Sequence, residues 1–332
     1  MSHKKIRRLY AVTILLFFAA VLGSLCLGAA NLNLNQLWHA VVNGPGSGYE
    51  GHIFWYVRLP RTAGAAAAGA GLAVAGAVIQ AVLANPLASP GIIGVNSGAG
   101  MAVTLCYAFG ILNGWAISAA SFAGALFAVM VVTFTAQKMK ASRTTVVMGG
   151  IAVNSFFGAV SESITTLIPD AAVLSADFKV GGFSSISYLR LIPAVILILI
   201  ALICVFSFCN ELDLMNLGEE TAQSLGLSVK KMRTLLLILA ALLAGASVSF
   251  AGVLSFVGLI VPHTIRRFTG SESRYLLPLC ALGGAGFVTL CDLISRIIFM
   301  PYEIPVGILM SFIGAPFFVW LLLKKKAGHS HA

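Results

Sequence analysis

The sequence has few charged residues and many apolar ones. Only 10% of its 332 residues are charged, against 59% that are hydrophobic, whereas a soluble domain carries about 25% charged residues. The mean hydropathy of +0.96 agrees with this balance. These values exclude a water-soluble globular protein and indicate a polytopic membrane protein. Because backbone N–H and C=O groups in the bilayer core must be bonded within the protein, we expect an all-α fold.

The sequence also lacks the motifs of an enzyme. It contains no GxxxxGK[ST] motif, so we expect ATP hydrolysis to belong to another subunit. His39, His52 and His263 are scattered over different loops and spans, which argues against a converging catalytic set. The six cysteines lie in apolar runs without CxxC spacing, which favours neither a disulfide nor a metal site. We expect this chain to hold no catalytic residue, metal or cofactor.

Ten apolar runs approach the length of about 20 residues that a helix needs to cross a bilayer. They are Leu9–Ala30, Thr62–Ala84, Ile92–Phe109, Trp115–Gln137, Thr144–Ile168, Leu189–Phe208, Leu235–Gly252, Leu254–Phe268, Leu276–Ile298 and Val306–Leu323. Residues 235–268 rise only ~50 Å as a helix and two crossings need ~60 Å, so one crossing there is short and broken near Gly252 and Gly258. No linker interrupts the runs, which predicts a single membrane domain over residues 1–332.

Basic residues gather on one side of the membrane if the ten spans alternate. Cytoplasmic loops are enriched in Lys and Arg, so this asymmetry predicts that both termini are cytoplasmic. Sixteen of the 21 basic residues fall on that side: Lys4, Lys5, Arg7, Arg8, Lys138, Lys140, Arg143, Lys230, Lys231, Arg233, Arg266, Arg267, Arg274, Lys324, Lys325 and Lys326. The net charge of +10 therefore reflects topology, and it gives no reason to expect a nucleic-acid partner.

Polar motifs lie at the predicted ends of the spans. They are residues 58–61, 76–80, 85–90, 94–99, 218–222 with 225–226, 258–263, Asp292 with Arg296, 303–307 and 314–318. Together, over nearly the whole chain, they resemble the FecCD-type permeases, the membrane subunits of type II ABC importers for iron-siderophore complexes, haem and cobalamin. The resemblance implies a multi-pass protein of the bacterial plasma membrane, an ABC importer permease fold and transport by alternating access.

The resemblance also implies an assembly. Such permeases pair about a two-fold axis with the channel at the seam, so we expect a second permease subunit, either identical or a paralogue. Two ATPase subunits, which bind ATP and Mg²⁺, and an extracytoplasmic binding protein complete the complex. The cargo we expect first is an iron(III)-siderophore, with cobalamin and haem as alternatives. An ion-coupled secondary transporter would need ionisable residues at mid-membrane, and we expect only Glu162 inside a span.

A polar segment, residues 211–231, separates the sixth and seventh predicted spans. Residues 216–226 indicate a short helix, because acidic residues favour the first turn of a helix and Gly226 is a typical stop signal. An ordinary surface loop would have a similar composition. The resemblance implies instead a coupling helix that docks on the ATPase subunit, formed by Gly218, Glu219, Glu220, Thr221, Ala222, Leu225 and Gly226.

Three arginines lie at the predicted outer ends of spans. Arg58 and Arg61 flank the start of the second span, and Arg296 ends the ninth. Arginines that extend their charged heads to the membrane surface would explain this placement. The resemblance implies that these three arginines bind glutamates of the binding protein, since arginine pairs with carboxylates in a bidentate manner. Asp292 is then an internal partner that orients Arg296.

Residues 85–87 end the second span on the cytoplasmic side. Turn chemistry alone would account for them, because proline stops a helix. The resemblance implies that Asn85, Pro86 and Leu87 also constrict the inner mouth of the channel, together with Ser142. Glu162 lies within the predicted fifth span, where acidic residues usually face a cavity or a partner. We expect it to line the outward-open vestibule, a role for which the resemblance supplies no matching acid.

Overall fold

The computed structural model describes residues 3–28, 33–46, 48–138 and 143–327, and these ranges contain helices but no strand. The helices are α1 (His3–Cys26), α2 (Leu34–Asn43), α3 (Gly48–Ile53), α4 (Leu59–Val82), α5 (Val95–Ala108), α6 (Gly114–Lys138), α7 (Arg143–Leu167), α8 (Pro169–Val180), α9 (Tyr188–Ser207), α10 (Cys209–Asn216), α11 (Glu219–Ser224), α12 (Val229–Ala251), α13 (Val257–Thr269), α14 (Ser273–Ile297) and α15 (Val306–Ala327). A π-helical turn, Phe54–Arg58, joins α3 to α4, and a 3₁₀ turn, Pro90–Ile93, precedes α5. The predicted all-α class is confirmed.

Seven helical stretches within the described ranges are long and apolar enough to cross a bilayer: α1, α3 continued into α4, α6, α7, α9, α12 and α14. The other three predicted spans correspond to α5, α13 and α15. With 14 and 13 residues, α5 and α13 rise only about 20 Å each, less than the bilayer core of about 30 Å. The prediction of about ten membrane helices is consistent with this set.

The predicted break between the seventh and eighth spans is present. α12 ends at Ala251, and Gly252 follows with a positive φ of 68°. α13 begins at Val257, so α12 is the full crossing and α13 is the short one. The seventh span was predicted to begin at Leu235, but α12 begins at Val229. A hydropathy pattern misses this first turn and a half because its exposed side chains are basic.

α4 is the central helix of the bundle. Of its most apolar window, 83% is buried, against 11% for α1. Its small residues let neighbouring backbones approach closely: Gly69 lies against Gly284 of α14, and Gly76 lies against Gly258 of α13. A Cβ atom at any of these positions would collide with the opposing backbone. The candidate site residues lie at the outer and inner ends of α4, so this central helix sets the distance between them.

Candidate functional site

The outer ends of α4 and α14 meet in a network of buried charges. Arg61 donates from Nε to Oδ1 of Asp292 at 3.0 Å and from Nη1 to Oε2 of Glu303 at 2.7 Å. The other carboxylate oxygen of Asp292 lies 3.2 Å from Nε of Arg296. One fully buried carboxylate thus binds two guanidinium groups. The expected internal pair between Asp292 and Arg296 is present.

Arg58 and Arg296 both bind the outer end of α1. Arg58 Nη1 donates to the carbonyl oxygens of Leu25 and Cys26, at 2.7 and 2.8 Å. These belong to the last turn of α1, where carbonyl groups have no partner within the helix. Arg296 Nη2 donates to Oγ of Ser24 at 2.6 Å. The two arginines therefore attach α1 to the π-helical turn before α4 and to α14.

All three predicted docking arginines are buried within this subunit. Arg58 and Arg296 are 3% exposed and Arg61 is 7% exposed. This placement differs from the membrane-anchor alternative, in which the charged head stays in water. Their role in docking a binding protein stays a prediction. Asp292 lies inside α14, so the expectation that Glu162 is the only acidic residue within a span is wrong.

A crevice of about 610 Å³ opens beside the charged network on the outer side. Arg61 and Glu303 line one wall, and Asp177 and Arg190 line the wall formed by α8 and α9. Sequence reasoning gave no role to Glu303, although it begins one of the recognised motifs. No group of three or more His, Cys, Asp or Glu side chains in the described part of the chain is arranged to hold a metal ion. The positive and negative side chains in this lining suit a polar ligand or a polar segment of a partner protein.

The predicted short cytoplasmic helix is α11. Gly218 precedes it with φ 108° and Gly226 follows it with φ 88°, conformations that glycine adopts without a steric penalty. Ala222 is fully buried, and Glu219 forms an ion pair with Arg233 of α12. The segment is therefore a fixed helical element at the cytoplasmic end. Its docking on an ATPase subunit stays a prediction.

The solvent-exposed side of this cytoplasmic segment is partly apolar. Leu217 and Leu225 are 63% and 60% exposed, and they lie on either side of α11. Glu220 and Thr221 between them are also exposed. This side of the segment is the surface that the predicted contact with an ATPase subunit would use.

α10, which precedes α11, is attached to the bundle by a polar contact. The backbone N–H of Ser273, at the start of α14, donates to Oδ1 of Asp213 at 2.8 Å. Burial raises the pKa of the Cys209 thiol in the same helix, and Asp213 and Glu211 raise it further. A thiol with a raised pKa reacts slowly at neutral pH, so this native cysteine interferes little with cysteine labelling elsewhere.

The inner end of α4 continues into the predicted gate. The backbone N–H of Asn85 donates to the carbonyl of Gln80 at 3.1 Å, and Asn85 Oδ1 accepts from the N–H of Leu87 at 3.0 Å. Pro86 is exposed. Ser142, the fourth predicted gate residue, lies outside the described residues. The turn is held by local hydrogen bonds, and its role as a constriction stays a prediction.

A cavity of about 460 Å³ lies beside this turn, with Leu87 and Asn154 in its lining. Asn154 of α7 donates from Nδ2 to the carbonyl of Gly91 at 2.9 Å, and its Oδ1 accepts from Oγ of Ser97 at 2.6 Å. This side chain therefore holds the 3₁₀ turn and the start of α5. Sequence reasoning missed Asn154, although it is polar and lies inside a predicted span, which is the signal that identified Glu162.

Gln80 is a third residue to which the sequence analysis assigned no role, after Glu303 and Asn154. Its Nε2 donates to the carbonyl of Gly258 at 3.1 Å, and its Oε1 accepts from Nη1 of Arg266 at 2.8 Å. The buried amide thus joins α4 to both ends of the short helix α13. Its presence in the 76–80 motif was the available signal.

The exposed side of α7 differs in chemistry from that of α9. The outer half of α7 exposes a stripe of small or polar residues, Ser155, Ala159, Glu162, Ser163 and Thr166, although Met148, Ile151, Phe156 and Leu167 of the same helix are exposed as well. The large exposed residues of α9 are all Leu or Ile: Leu189, Ile192, Ile196, Leu197, Leu199, Ile200 and Ile203. The α9 face suits lipid. The small and polar stripe on the outer half of α7 suits water or another protein, and it contains Glu162 five residues from the end of the helix.

The chain resembles permeases of known transport systems. It is 34% identical over 331 residues to the hemin transport system permease protein HmuU of Yersinia pestis, covering 98% of both chains. It is 38% identical to the vitamin B12 import system permease protein BtuC of Yersinia enterocolitica, covering 83% of this chain and 84% of the relative. It is 35% identical to the Fe(3+)-citrate import system permease protein YfmE of Bacillus subtilis, covering 97% of both.

The fold agrees with these similarities. A solved structure of a metal-chelate type ABC transporter in an inward-facing conformation matches with a TM-score of 0.85 and 28% identity, covering 96% of this chain and 99% of that one. Residues 14–324 match the FecCD transport family. The chain is therefore a multi-pass membrane protein that belongs to the FecCD transport family of ABC importer permeases.

Proposed function

We propose that this chain is the permease subunit that imports an iron(III)-siderophore-type chelate by alternating access, with haem and cobalamin as alternative cargoes. An extracytoplasmic binding protein delivers the chelate, and two ATPase subunits supply the energy. Two permease subunits, identical or paralogous, enclose the path. Two relatives are named for haemin and for iron(III) citrate, and both of these compounds contain iron. This supports an iron chelate as the first choice of cargo.

The coupling segment carries this proposal. α11 is anchored to α12 by the Glu219–Arg233 pair, and it presents Leu217 and Leu225 to the cytoplasm. A displacement of this segment is transmitted directly to α12 through the Glu219–Arg233 pair. It is also transmitted to the start of α14 through the hydrogen bond between Asp213 and Ser273. The ATPase subunits dock here, and their closure moves the two long helices that pack on α4.

The path follows from the chemistry of the exposed faces. The small and polar stripe on the outer half of α7, including Glu162, faces the seam between the two permeases, while the Leu and Ile side of α9 faces lipid. The binding protein docks above the buried arginines. A glutamate of that protein competes with Glu303, whose side chain is 33% exposed, for the guanidinium of Arg61.

The coupling role is tested with two matched glycine variants. Gly218 and Gly270 both have positive φ, and a Cβ atom at either would meet nothing within 4 Å. Gly218→Leu and Gly270→Leu therefore introduce similar backbone strain, about 1–3 kcal/mol. In proteoliposomes with the ATPase and binding protein, we expect Gly218→Leu to abolish ATP-dependent uptake and to leave binding-protein affinity unchanged. Gly270→Leu keeps uptake. Equal uptake by both variants refutes the coupling role.

The cargo is tested by capture. The complex with its binding protein is purified from cells grown without iron supplementation, and the bound small molecule is identified by mass spectrometry. Uptake of a radioiron-labelled hydroxamate siderophore is then competed with unlabelled haemin and with cobalamin. A bound iron(III) chelate, with uptake that stops when ATP is withheld, supports the proposal. If the bound molecule is cobalamin or haem, the cargo is reassigned to that compound. Uptake that depends on an ion gradient refutes the proposal of an ATP-driven importer.

A further inference from the structure

A groove of about 740 Å³ lies between α1 and α13, with α14 as its floor. Phe17 of α1 packs against Gly286 of α14, and the hydroxyl of Tyr10 donates to the carbonyl of Tyr275 at 3.4 Å. These contacts hold α1 on α14 and leave it apart from α13. Val12 and Leu16 in the lining are 47% and 64% exposed, so the groove opens sideways towards the bilayer.

The groove is apolar along its length and basic at one end. Two threonines in its walls, Thr13 and Thr264, direct their hydroxyls to carbonyls of their own helices. Lys5 and Arg8 line the cytoplasmic end, one turn apart on the same side of α1. No acidic side chain in the described part of the chain forms a salt bridge with either of them. The two positive charges are therefore available to an external anion.

We propose that this groove binds an anionic phospholipid of the cytoplasmic leaflet. Its phosphate lies at Lys5 and Arg8, and an acyl chain lies between α1 and α13. The dimensions agree, because the wall formed by the 13 residues of α13 is about 20 Å long, and one leaflet of the hydrocarbon core is about 15 Å thick. Basic pockets between membrane helices on the cytoplasmic side commonly bind acidic lipid head groups.

α13 forms one wall of this site through Ile260, Thr264 and Phe268. The lipid therefore lies between the peripheral helix α1 and a helix that is bound to α4 through Gln80. The lipid thereby supports α1, which is the least buried of the candidate spans in the described ranges.

The test uses the whole chain and two double variants with equal charge loss. Lys5→Gln/Arg8→Gln removes the basic end of the groove, and Lys4→Gln/Arg7→Gln removes two exposed charges that do not line it. Each protein is moved to zwitterionic phosphatidylcholine nanodiscs and titrated with phosphatidylglycerol, and bound lipid is counted by native mass spectrometry. We expect the first variant to bind about 30-fold more weakly, since two basic residues contribute about 2 kcal/mol, and the second to resemble wild type.

A third variant separates the acyl chain from the head group. Leu16→Trp fills the apolar groove and keeps both basic side chains, so we expect it to lose the bound phosphatidylglycerol as well. Size-exclusion profiles check that each variant is folded. The site is refuted if both charge variants weaken phosphatidylglycerol binding equally, or if Leu16→Trp still binds phosphatidylglycerol. It is also refuted if the wild-type protein retains phosphatidylcholine as well as it retains phosphatidylglycerol. A cross-link from Leu16→Cys to a second copy of the chain also refutes it, because the groove would then be a protein interface.

Discussion

The two ends of α4 are held by different chemistry. At the outer end, Arg61 lies between Asp292 and Glu303 in a network of buried charges. At the inner end, the amides of Gln80 and Asn85 make hydrogen bonds to α13 and to the following turn. Breaking a buried ion pair costs about 3–5 kcal/mol. A hydrogen bond between neutral groups contributes about 0.5–1.5 kcal/mol, and one to a charged group, such as that between Gln80 and Arg266, about 1.5–3 kcal/mol.

This difference separates a fixed end from an adaptable one. Rearranging the outer end would leave several buried charges without partners. Rearranging the inner end exchanges a few hydrogen bonds beside a cavity of about 460 Å³. In the proposed transport cycle, the outer end is a rigid platform, and changes in shape are concentrated where α4 meets residues 85–93.

The largest effect is expected at the outer platform. Asp292→Asn removes the carboxylate that binds Arg61 and Arg296, so the protein should lose about 3–5 kcal/mol of stability. Glu303→Gln is the control, because its partly exposed ion pair contributes at most about 1 kcal/mol. Chemical unfolding of both variants in detergent, followed by tryptophan fluorescence, measures the difference. Equal losses would contradict a buried charge centre at Asp292.

The next effect concerns docking at the same end. Charge reversal of Arg61 would place three carboxylates together and disturb folding, so it cannot test docking. Arg58 is the better choice, because its guanidinium donates to the neutral carbonyls of Leu25 and Cys26. Arg58→Gln should raise the Kd for the binding protein about tenfold or more, the loss of one charge-assisted hydrogen bond of about 1.5–3 kcal/mol.

Arg190→Gln provides the matched control for docking. Arg190 also lies at the outer side, where its Nη2 donates to the carbonyl of Ser185 at 2.6 Å, but it is outside the predicted docking set. Surface plasmon resonance at rising salt should show a smaller salt dependence for Arg58→Gln than for wild type. If Arg190→Gln weakens binding as much, the predicted set is not specific.

The sequence predicted the elements that hydropathy and chain breaks encode. The all-α class, the short eighth span and the short helix before Gly226 follow from local properties of the chain. The start of α12 was placed six residues late, because Lys230, Lys231 and Arg233 mask the helix in a hydropathy pattern. Local patterns therefore predict helices better than helix ends.

The partners of polar side chains could not be predicted in the same way. Arg61 and Glu303 are 242 residues apart, and Gln80 and Arg266 are 186 apart. Spacing within one helix contains no information about such contacts, which depend on how the helices pack around α4. The resemblance identified the motifs that contain these residues, but it gave no role to Glu303 or Gln80.

A smaller effect is expected at the inner end, where the chain offers a matched pair of asparagines. Asn85 Oδ1 accepts from the N–H of Leu87, and Asn113 Oδ1 accepts from the N–H of Trp115, two residues on in both cases. Replacing either with alanine should cost about 1 kcal/mol of stability. Only Asn85→Ala should raise ATP-independent flux of the chelate in proteoliposomes, by about fivefold for such a shift in the gate. Equal flux from both variants would contradict a gate at Asn85.

The smallest effect is expected at Glu162, and it decides which environment the exposed face of α7 meets. A carboxylate in lipid is unfavourable, so neutralising it there would stabilise the protein, by up to about 2 kcal/mol. A carboxylate in a water-filled path has no such penalty, and Glu162→Gln should then leave stability within about 0.5 kcal/mol of wild type. Asp170→Asn, at the exposed start of α8, is the control for removing an acid outside the bilayer core. We expect unchanged unfolding for both variants and a salt-dependent change in uptake for Glu162→Gln alone. Stabilisation by Glu162→Gln would place α7 against lipid and move the proposed seam to another face.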